Sequence, residues 1–305
     1  MSHKKTLETE RLILRHFNTS DAEAMFCNWA SDPDIVRFMP YDVCETLDDT
    51  NKRIKEWMLY FEETAPNSAV FAIVLKTNGE VIGTIDFAET DRNASAAEVG
   101  YQLGKAWWGF GYATEALKAI IKYCIETVGL SRIWASYDSR NPSSGKVLQK
   151  AGMMYEGTLR QSRVRRGELS DSIRYAILAD DYFQNKKENQ VTVDFWKALD
   201  KLVAESKIII DRLKGSQHPK YPNFIYPLDY GYLENTTAMD GGGIDVWKGS
   251  DGDYVDAVIC TVDLLKKDSE IKILSGCNEE EKRLVMKFLN DSEYRKGILI
   301  RRSKA

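Results

Sequence analysis

Gly104-Lys-Ala-Trp-Trp-Gly-Phe-Gly-Tyr-Ala-Thr-Glu115 is a glycine-containing loop set between a short extended segment and a long helical stripe. Ala113, Ala116, Leu117, Ile120, Ile121, Cys124, Ile125 and Val128 recur at the spacing of one helix face, while Glu115, Lys118, Lys122 and Glu126 fall off it. Gly109 and Gly111 tolerate backbone angles that a side chain disfavours, and they let another molecule approach the main chain. A bend that opens a helix presents unpaired amide hydrogens at the positive end of the helix dipole, which suits a phosphate or pyrophosphate. The bland alternative is a tight connection and nothing more, because a lone Gly-x-Gly is a weak signal. The missing Gly-Lys-Ser/Thr ending excludes a P-loop. A dinucleotide fold is disfavoured, since the strand before the loop does not open a βαβ unit with an acidic residue about 20 positions on.

Working outward, Glu98-Val-Gly-Tyr-Gln-Leu103 is the strand that feeds the loop. Upstream, Val70–Leu75 and Val81–Phe87 flank Asn78-Gly79, the signature of a tight hairpin that Glu98–Leu103 extends as a third antiparallel strand. Downstream, Arg132–Tyr137 reads as a strand, Asn141-Pro142 opens a short helix over 143–150, and Val164–Gly167 turns between two late strands ending at Leu178. Nearer the N-terminus, Glu10–Arg15 alternates as a strand, and Ser20-Asp21 caps a helix with Ala24, Met25 and Trp29 inward. Thr46–Phe61 is an amphipathic helix with Ile54, Trp57, Met58 and Phe61 on its apolar stripe. This order predicts an α+β fold, a mixed sheet flanked by helices.

At 305 residues the chain is long enough for two domains. The polar run Gln184–Gln190 is either a linker or the extension of a helix into Val193-Asp-Phe-Trp196. A net charge of −4 argues against a nucleic-acid or anionic-membrane surface. The local basic run Arg160, Arg163, Arg165 and Arg166 reads as a solvated hairpin, or as help in holding an anion. The five cysteines are odd in number, scattered and without a Cys-x-x-Cys pair, so reduced thiols are expected rather than a disulfide framework or zinc site. Three histidines, at positions 3, 16 and 218, do not assemble a metal cluster or a serine triad. Without an apolar leader or a run of eighteen apolar residues, a cytoplasmic location off the membrane is expected.

Glu98-Val-Gly-Tyr101, Trp108-Gly-Phe-Gly-Tyr-Ala-Thr-Glu-Ala116, Asn141-Pro-Ser-Ser144 and Leu148-Gln-Lys-Ala-Gly-Met153 together resemble the GNAT acetyltransferases, more narrowly the Rim-type branch that acetylates protein N-termini. The resemblance covers about residues 7 to 183, within a first domain set at 1–184. It implies acetyl-CoA as co-substrate and an amine as acceptor, either a protein N-terminus or a small molecule. It further implies that amides of Trp108, Gly109, Phe110, Gly111, Tyr112, Ala113 and Thr114 bind the pyrophosphate. The backbone of Gly100, Tyr101, Gln102 and Leu103 would pair with the pantetheine arm, which Asn141 also contacts. Glu98 becomes the candidate base, and Ser144 the candidate donor to the departing thiolate, although a serine there also caps a helix. The helix over 46–61 borders the acceptor site in the family, so its aromatics are core or substrate wall. Where many members carry a tyrosine acid this chain has Leu148, which excludes that residue from acid chemistry.

Tyr226-Pro-Leu-Asp-Tyr-Gly-Tyr232, Asp240-Gly-Gly-Gly-Ile-Asp-Val246 and Asp263-Leu-Leu-Lys-Lys-Asp268 resemble the family I inorganic pyrophosphatases. That implies a small OB-type β-barrel over 191–305 and a magnesium site from Asp240, Asp245, Asp263 and Asp268. Gly242 stands where the family has its central aspartate, Leu264 replaces an acidic residue, and the segment from Asp211 to Tyr221 is short for a phosphate-gripping hairpin. The module is therefore expected to be degenerate: a weakened magnesium-dependent phosphohydrolase, or a binding or assembly surface. Homo-oligomerisation is left open.

Overall fold

The computed structural model of the chain describes residues 6–63, 68–219, 221–238 and 241–302, and not the side chains of 61–63. It divides between Lys186 and Lys187 into two units. Among the described residues no helix is long and apolar enough to cross a membrane.

The first unit is built on β1 (Leu7–Glu8), β2 (Leu12–Arg15), β3 (Ala69–Leu75), β4 (Val81–Asp91), β5 (Ala96–Leu103), β6 (Arg132–Asp138), β7 (Met154–Arg165) and β8 (Glu168–Leu178), ordered β1-β2-β3-β4-β5-β6-β8-β7. Its helices are α1 (Ala22–Met25), α2 (Pro33–Val36), α3 (Leu47–Glu63), α4 (Tyr112–Tyr123), α5 (Pro142–Lys150) and the start of α6 (Ala179–Ala204). The stretch Gln184–Gln190 is thus helical, the second of its two readings.

β3 is buried on both faces, which explains its unbroken apolar run Ala69-Val-Phe-Ala-Ile-Val-Leu75. On one face Phe71, Ile73, Ile85, Phe87 and Val99 pack against Leu117, Ile120 and Ile121 of α4 and Cys124 just beyond it. On the other, Val70, Ala72 and Val74 pack with Met25, Trp29 and Ile54. Each buried Val, Leu, Ile, Phe or Met side chain among these contributes about 1.5–3 kcal/mol. Neighbouring strands run antiparallel with one exception, β5 beside β6. Those two pair in parallel at Ala96/Arg132, Ala97/Ile133 and Glu98/Trp134 and then separate. Beyond Glu98, β5 stays paired to β4 as far as Leu103 and turns an unpaired edge toward β6.

The second unit carries β9 (Ile208–Arg212), β10 (Asp229–Leu233), β11 (Asp245–Lys248), β12 (Val255–Asp263), β13 (Asp268–Ser275), α7 (Glu279–Asn290) and β14 (Arg295–Arg301). Its sheet runs β14-β12-β13-β11-β10-β9. The barrel expected from the sequence does not close among the described residues: β14 and β9 are edges. Helices cover the faces instead, Val285 and Leu289 of α7 meeting Trp247 and Ile259 on one side, Trp196 and Leu199 of α6 meeting Val258 and Ile273 on the other.

Candidate active site

The wedge between β5 and β6 is flanked by the loop that opens α4. Gly109 and Gly111 take φ of +85° and +84°, the left-handed region that favours glycine. No side chain caps α4, so the first amides of the helix are left to other partners. Arg11, in the turn between β1 and β2, fastens the bend: its guanidinium donates to the Phe110 carbonyl at 3.0 Å and to Glu115 at 2.7 Å, and it stacks 4.5 Å from the Tyr112 ring centre. Glu115 also accepts from Thr9 Oγ1 at 2.5 Å and from the Arg11 amide at 2.9 Å. Burial pushes its carboxyl up, but these donors outweigh it and hold the group below the usual glutamate value. Trp108 Nε1 donates to the Leu103 carbonyl at 2.8 Å, tying the loop to the end of β5.

A cavity of about 350 Å³ follows this loop, lined by Trp108, Gly109, Gly111, Ala113 and Thr114, with Lys146 and Lys150 of α5 beside them. Tyr101, Gln102, Asn141 and Ser144 belong both to it and to a second cavity of about 490 Å³ on the far side of the wedge. Tyr101 and Ser144 meet across the wedge, hydroxyl to hydroxyl at 2.8 Å, and Tyr101 Oη donates to the Ser144 carbonyl at 3.0 Å. Burial pushes the Tyr101 hydroxyl above its ordinary value. A Cβ on Gly145 would meet the Tyr137 hydroxyl at 2.4 Å, so α5 can lie this close to β6 only because position 145 lacks a side chain. Gln102 accepts from the Tyr41 hydroxyl at 2.6 Å through Oε1, while its buried Nε2 has no partner. An orphaned buried amide costs about 1–3 kcal/mol, and here it borders both cavities.

The larger cavity has an acidic floor. Glu98 and Asp86 project from β5 and β4 onto the same sheet face, since Asp86 lies opposite Gly100 and Ala88 opposite Glu98. Burial raises both carboxyls, Asp86 to about 7 with the charge of Glu98 adding to the effect. Ser136 Oγ donates to Glu98 at 3.3 Å and itself accepts from Arg163 at 2.6 Å. Trp57 and Tyr60 of α3, with Phe38 and Tyr41, form the aromatic wall, and Arg163 and Arg165 stand at its rim. Trp57 therefore serves both readings offered for α3, since it also packs against the core.

The matching family model is the acetyltransferase (GNAT) domain, over residues 11–154. The chain is 33% identical over 178 residues to the uncharacterized N-acetyltransferase p20 of Bacillus licheniformis, covering 58% of this chain and 98% of that protein. It belongs to the GNAT acetyltransferases. It is also 26% identical over 185 residues to the Escherichia coli [ribosomal protein uS5]-alanine N-acetyltransferase, covering 59% of this chain and 93% of that protein. A GNAT-family acetyltransferase structure from Bacillus anthracis superposes with a TM-score of 0.52 at 29% identity, over 58% of this chain and 99% of that one. The protein is thus an acyltransferase of the acetyl-CoA-dependent GNAT family. The residues present fit that co-substrate: an uncapped helix start, an unpaired strand edge, two lysines and an unpartnered amide meet in one cleft.

Of the residues singled out by sequence in this domain, Gly100 to Leu103, Trp108, Gly109, Gly111 to Thr114 and Asn141 line one or both cavities, Phe110 lines neither, and Glu98 and Ser144 both line the larger one. Asp86, Tyr41 and the lysines of α5 were not anticipated. A lone carboxylate inside the apolar run Val81–Phe87 was the one available signal.

The four aspartates expected to hold magnesium fare differently. Asp240 lies outside the described residues. Asp263 accepts from the amides of Leu265 and Lys266, capping the turn between β12 and β13. Asp245 is ion-paired with Lys272, which Glu270 also holds at 2.6 Å. Its partner Lys272 stands four residues along β13 from Asp268, about 13 Å at the rise of a strand. Among the described residues no group of three metal-ligating side chains forms.

Proposed function

We propose that the first domain, residues 1–184, transfers the acetyl group of acetyl-CoA to a primary amine by direct attack on the thioester. The carrying observation is the pair of cavities sharing Tyr101, Gln102, Asn141 and Ser144, one beside the glycine loop and basic α5, the other floored by Asp86 and Glu98. The amides of 108–114 bind the pyrophosphate, the free edge of Gly100–Leu103 pairs with the pantetheine arm, and Asn141 contacts that arm. Asp86 and Glu98 on the floor, between aromatic walls, favour a cationic group such as an ammonium at that depth, with Arg163 and Arg165 at the rim. Glu98 faces the amine, and Ser144 with Tyr101 supplies the hydrogen bond that meets the leaving thiolate. A peptide N-terminus is one acceptor class supported by the name of the E. coli relative, and small amines are the other.

For residues 191–305 we favour a binding or assembly role over phosphohydrolysis, because Asp245 and Asp263 are already engaged by protein partners. Thiol release from acetyl-CoA across peptides, polyamines and aminoglycosides, run beside phosphate release from pyrophosphate with magnesium, tests both readings. Amine-dependent thiol release without phosphate release is expected. Phosphate release alone would reverse the assignment.

A further inference from the structure

We propose that Asp86 is the residue that takes the proton from the attacking amine, and that Glu98 holds the ammonium in place; this rests on the amine-acetylation reading of the site. Asp86 stands opposite Gly100. A Cβ on Gly100 would come within 3.0 Å of Asp86 Oδ1, so the carboxylate lies against the main chain where β5 has just lost β6 as a neighbour. That is the edge along which the thioester is proposed to run. Glu98 is set two residues back, at the last paired position of β5 and β6, and is tethered through Ser136 to Arg163. Asp86 has no hydrogen bond or ion pair among the described residues and remains free to accept.

The surrounding charges favour this division. Glu98 faces Asp86 from β5, and Tyr41 approaches from the segment before α3. Arg53 of α3 stacks on the Tyr41 ring rather than pairing with Asp86. From β7, Arg163 bonds Ser136 and Ser172, while Arg165 reaches the rim. Asp138 of β6 is committed to Arg140 and Ser170. Burial and the Glu98 charge raise the Asp86 carboxyl to about 7, poised for proton transfer near neutrality. Burial holds the hydroxyls of Tyr41, Tyr101 and Tyr137 above their ordinary value.

The bound ammonium gives one proton to Asp86, and the free amine nitrogen forms a bond to the thioester carbonyl carbon. The carbon–sulfur bond breaks, and a second nitrogen proton ends on the sulfur, leaving an amide and a thiol. Asp86 returns its proton to solvent.

The test is the pH dependence of kcat for the full chain with saturating acetyl-CoA and the panel amine that releases thiol fastest. The unaltered enzyme should show a rising limb centred near pH 7. Asp86→Asn should lose that limb and about 100-fold or more in kcat. Glu98→Gln should keep the limb and move it to lower pH, because removing the like charge makes Asp86 more acidic. The opposite pattern, a limb lost in Glu98→Gln and merely displaced in Asp86→Asn, overturns the proposal. If Asp86→Asn fails to fold or no panel amine reacts, the ¹³C titration of the Asp86 carboxyl in the unaltered chain with coenzyme A decides. A midpoint near 7 that falls in Glu98→Gln supports the assignment, and an ordinary aspartate midpoint ends it. Calorimetric binding of coenzyme A separately reports whether the acetyltransferase reading stands.

Discussion

At the scale of single residues, the site depends on what is missing at position 100. Gly100→Ala would place a methyl 3.0 Å and 3.4 Å from the two Asp86 oxygens, and the flexible carboxylate would swing away. The expected result is a 10- to 100-fold lower kcat, on the order of a displaced catalytic group, with stability changed by about 1 kcal/mol or less and coenzyme A affinity nearly kept. Steady-state kinetics beside calorimetry reads this, and an unchanged kcat would detach the carboxylate from the chemistry. Tyr101→Phe removes the hydroxyl that meets Ser144, with a smaller loss of about 10-fold expected in kcat. Neither contact was legible in the sequence. Asp86 looks like any polar position in a strand until the register sets it against Gly100, and Ser144 finds its tyrosine 43 residues away. The sequence placed a tyrosine acid out of reach at Leu148, which is buried, whereas the nearby hydroxyl comes from β5.

At the scale of elements, Glu115 is the carboxylate among the ties that hold the bend before α4, beside Arg11 on the Phe110 carbonyl and Trp108 on the Leu103 carbonyl. Glu115 ties the turn between β1 and β2 to the helix start, so Glu115→Gln should weaken coenzyme A binding and lower the hydrogen-exchange protection of amides 108–114. Removing its charge-assisted bonds costs about 1–3 kcal/mol locally. The pH sense follows from its lowered carboxyl. This stabilisation is complete above the ordinary glutamate value of 4.5 and is lost as pH falls through the lower folded value. Exchange protection of the bend should therefore decay on acidification in the unaltered chain and be flat in Glu115→Gln; equal pH profiles would contradict the tether. The loop, the α4 stripe and the Asn78-Gly79 hairpin were readable because their signals are local and periodic. The splay of β5 from β6 was not, because a parallel pairing is set by elements that lie far apart in the chain.

At the scale of the molecule, the chain joins a unit whose family is plain to one whose Asp245 and Asp263 are engaged within that unit. The pyrophosphatase likeness rests on the motifs over 226–232, 240–246 and 263–268, and so on where their aspartates fall along the chain. Spacing along a strand does not say whether a carboxylate meets a cation from solution or a lysine from the next strand, and Asp245 meets the buried Lys272. If the two units of the chain fold independently, calorimetry will resolve two unfolding transitions. Coenzyme A at 100 times its Kd should raise one of them by about 2.7 kcal/mol of apparent stability and leave the other alone. Asp245→Asn should lower only the second, because it weakens the pairing of a buried ammonium, and acetyl transfer should proceed at an unchanged rate. Millimolar magnesium should shift neither transition. A single transition, a shift of both by coenzyme A, or a loss of acetylation in Asp245→Asn would show that the second unit acts on the first through more than a shared helix. A rise in the second transition with magnesium would return its carboxylates to metal binding, with Asp245 released from Lys272 as the necessary first event.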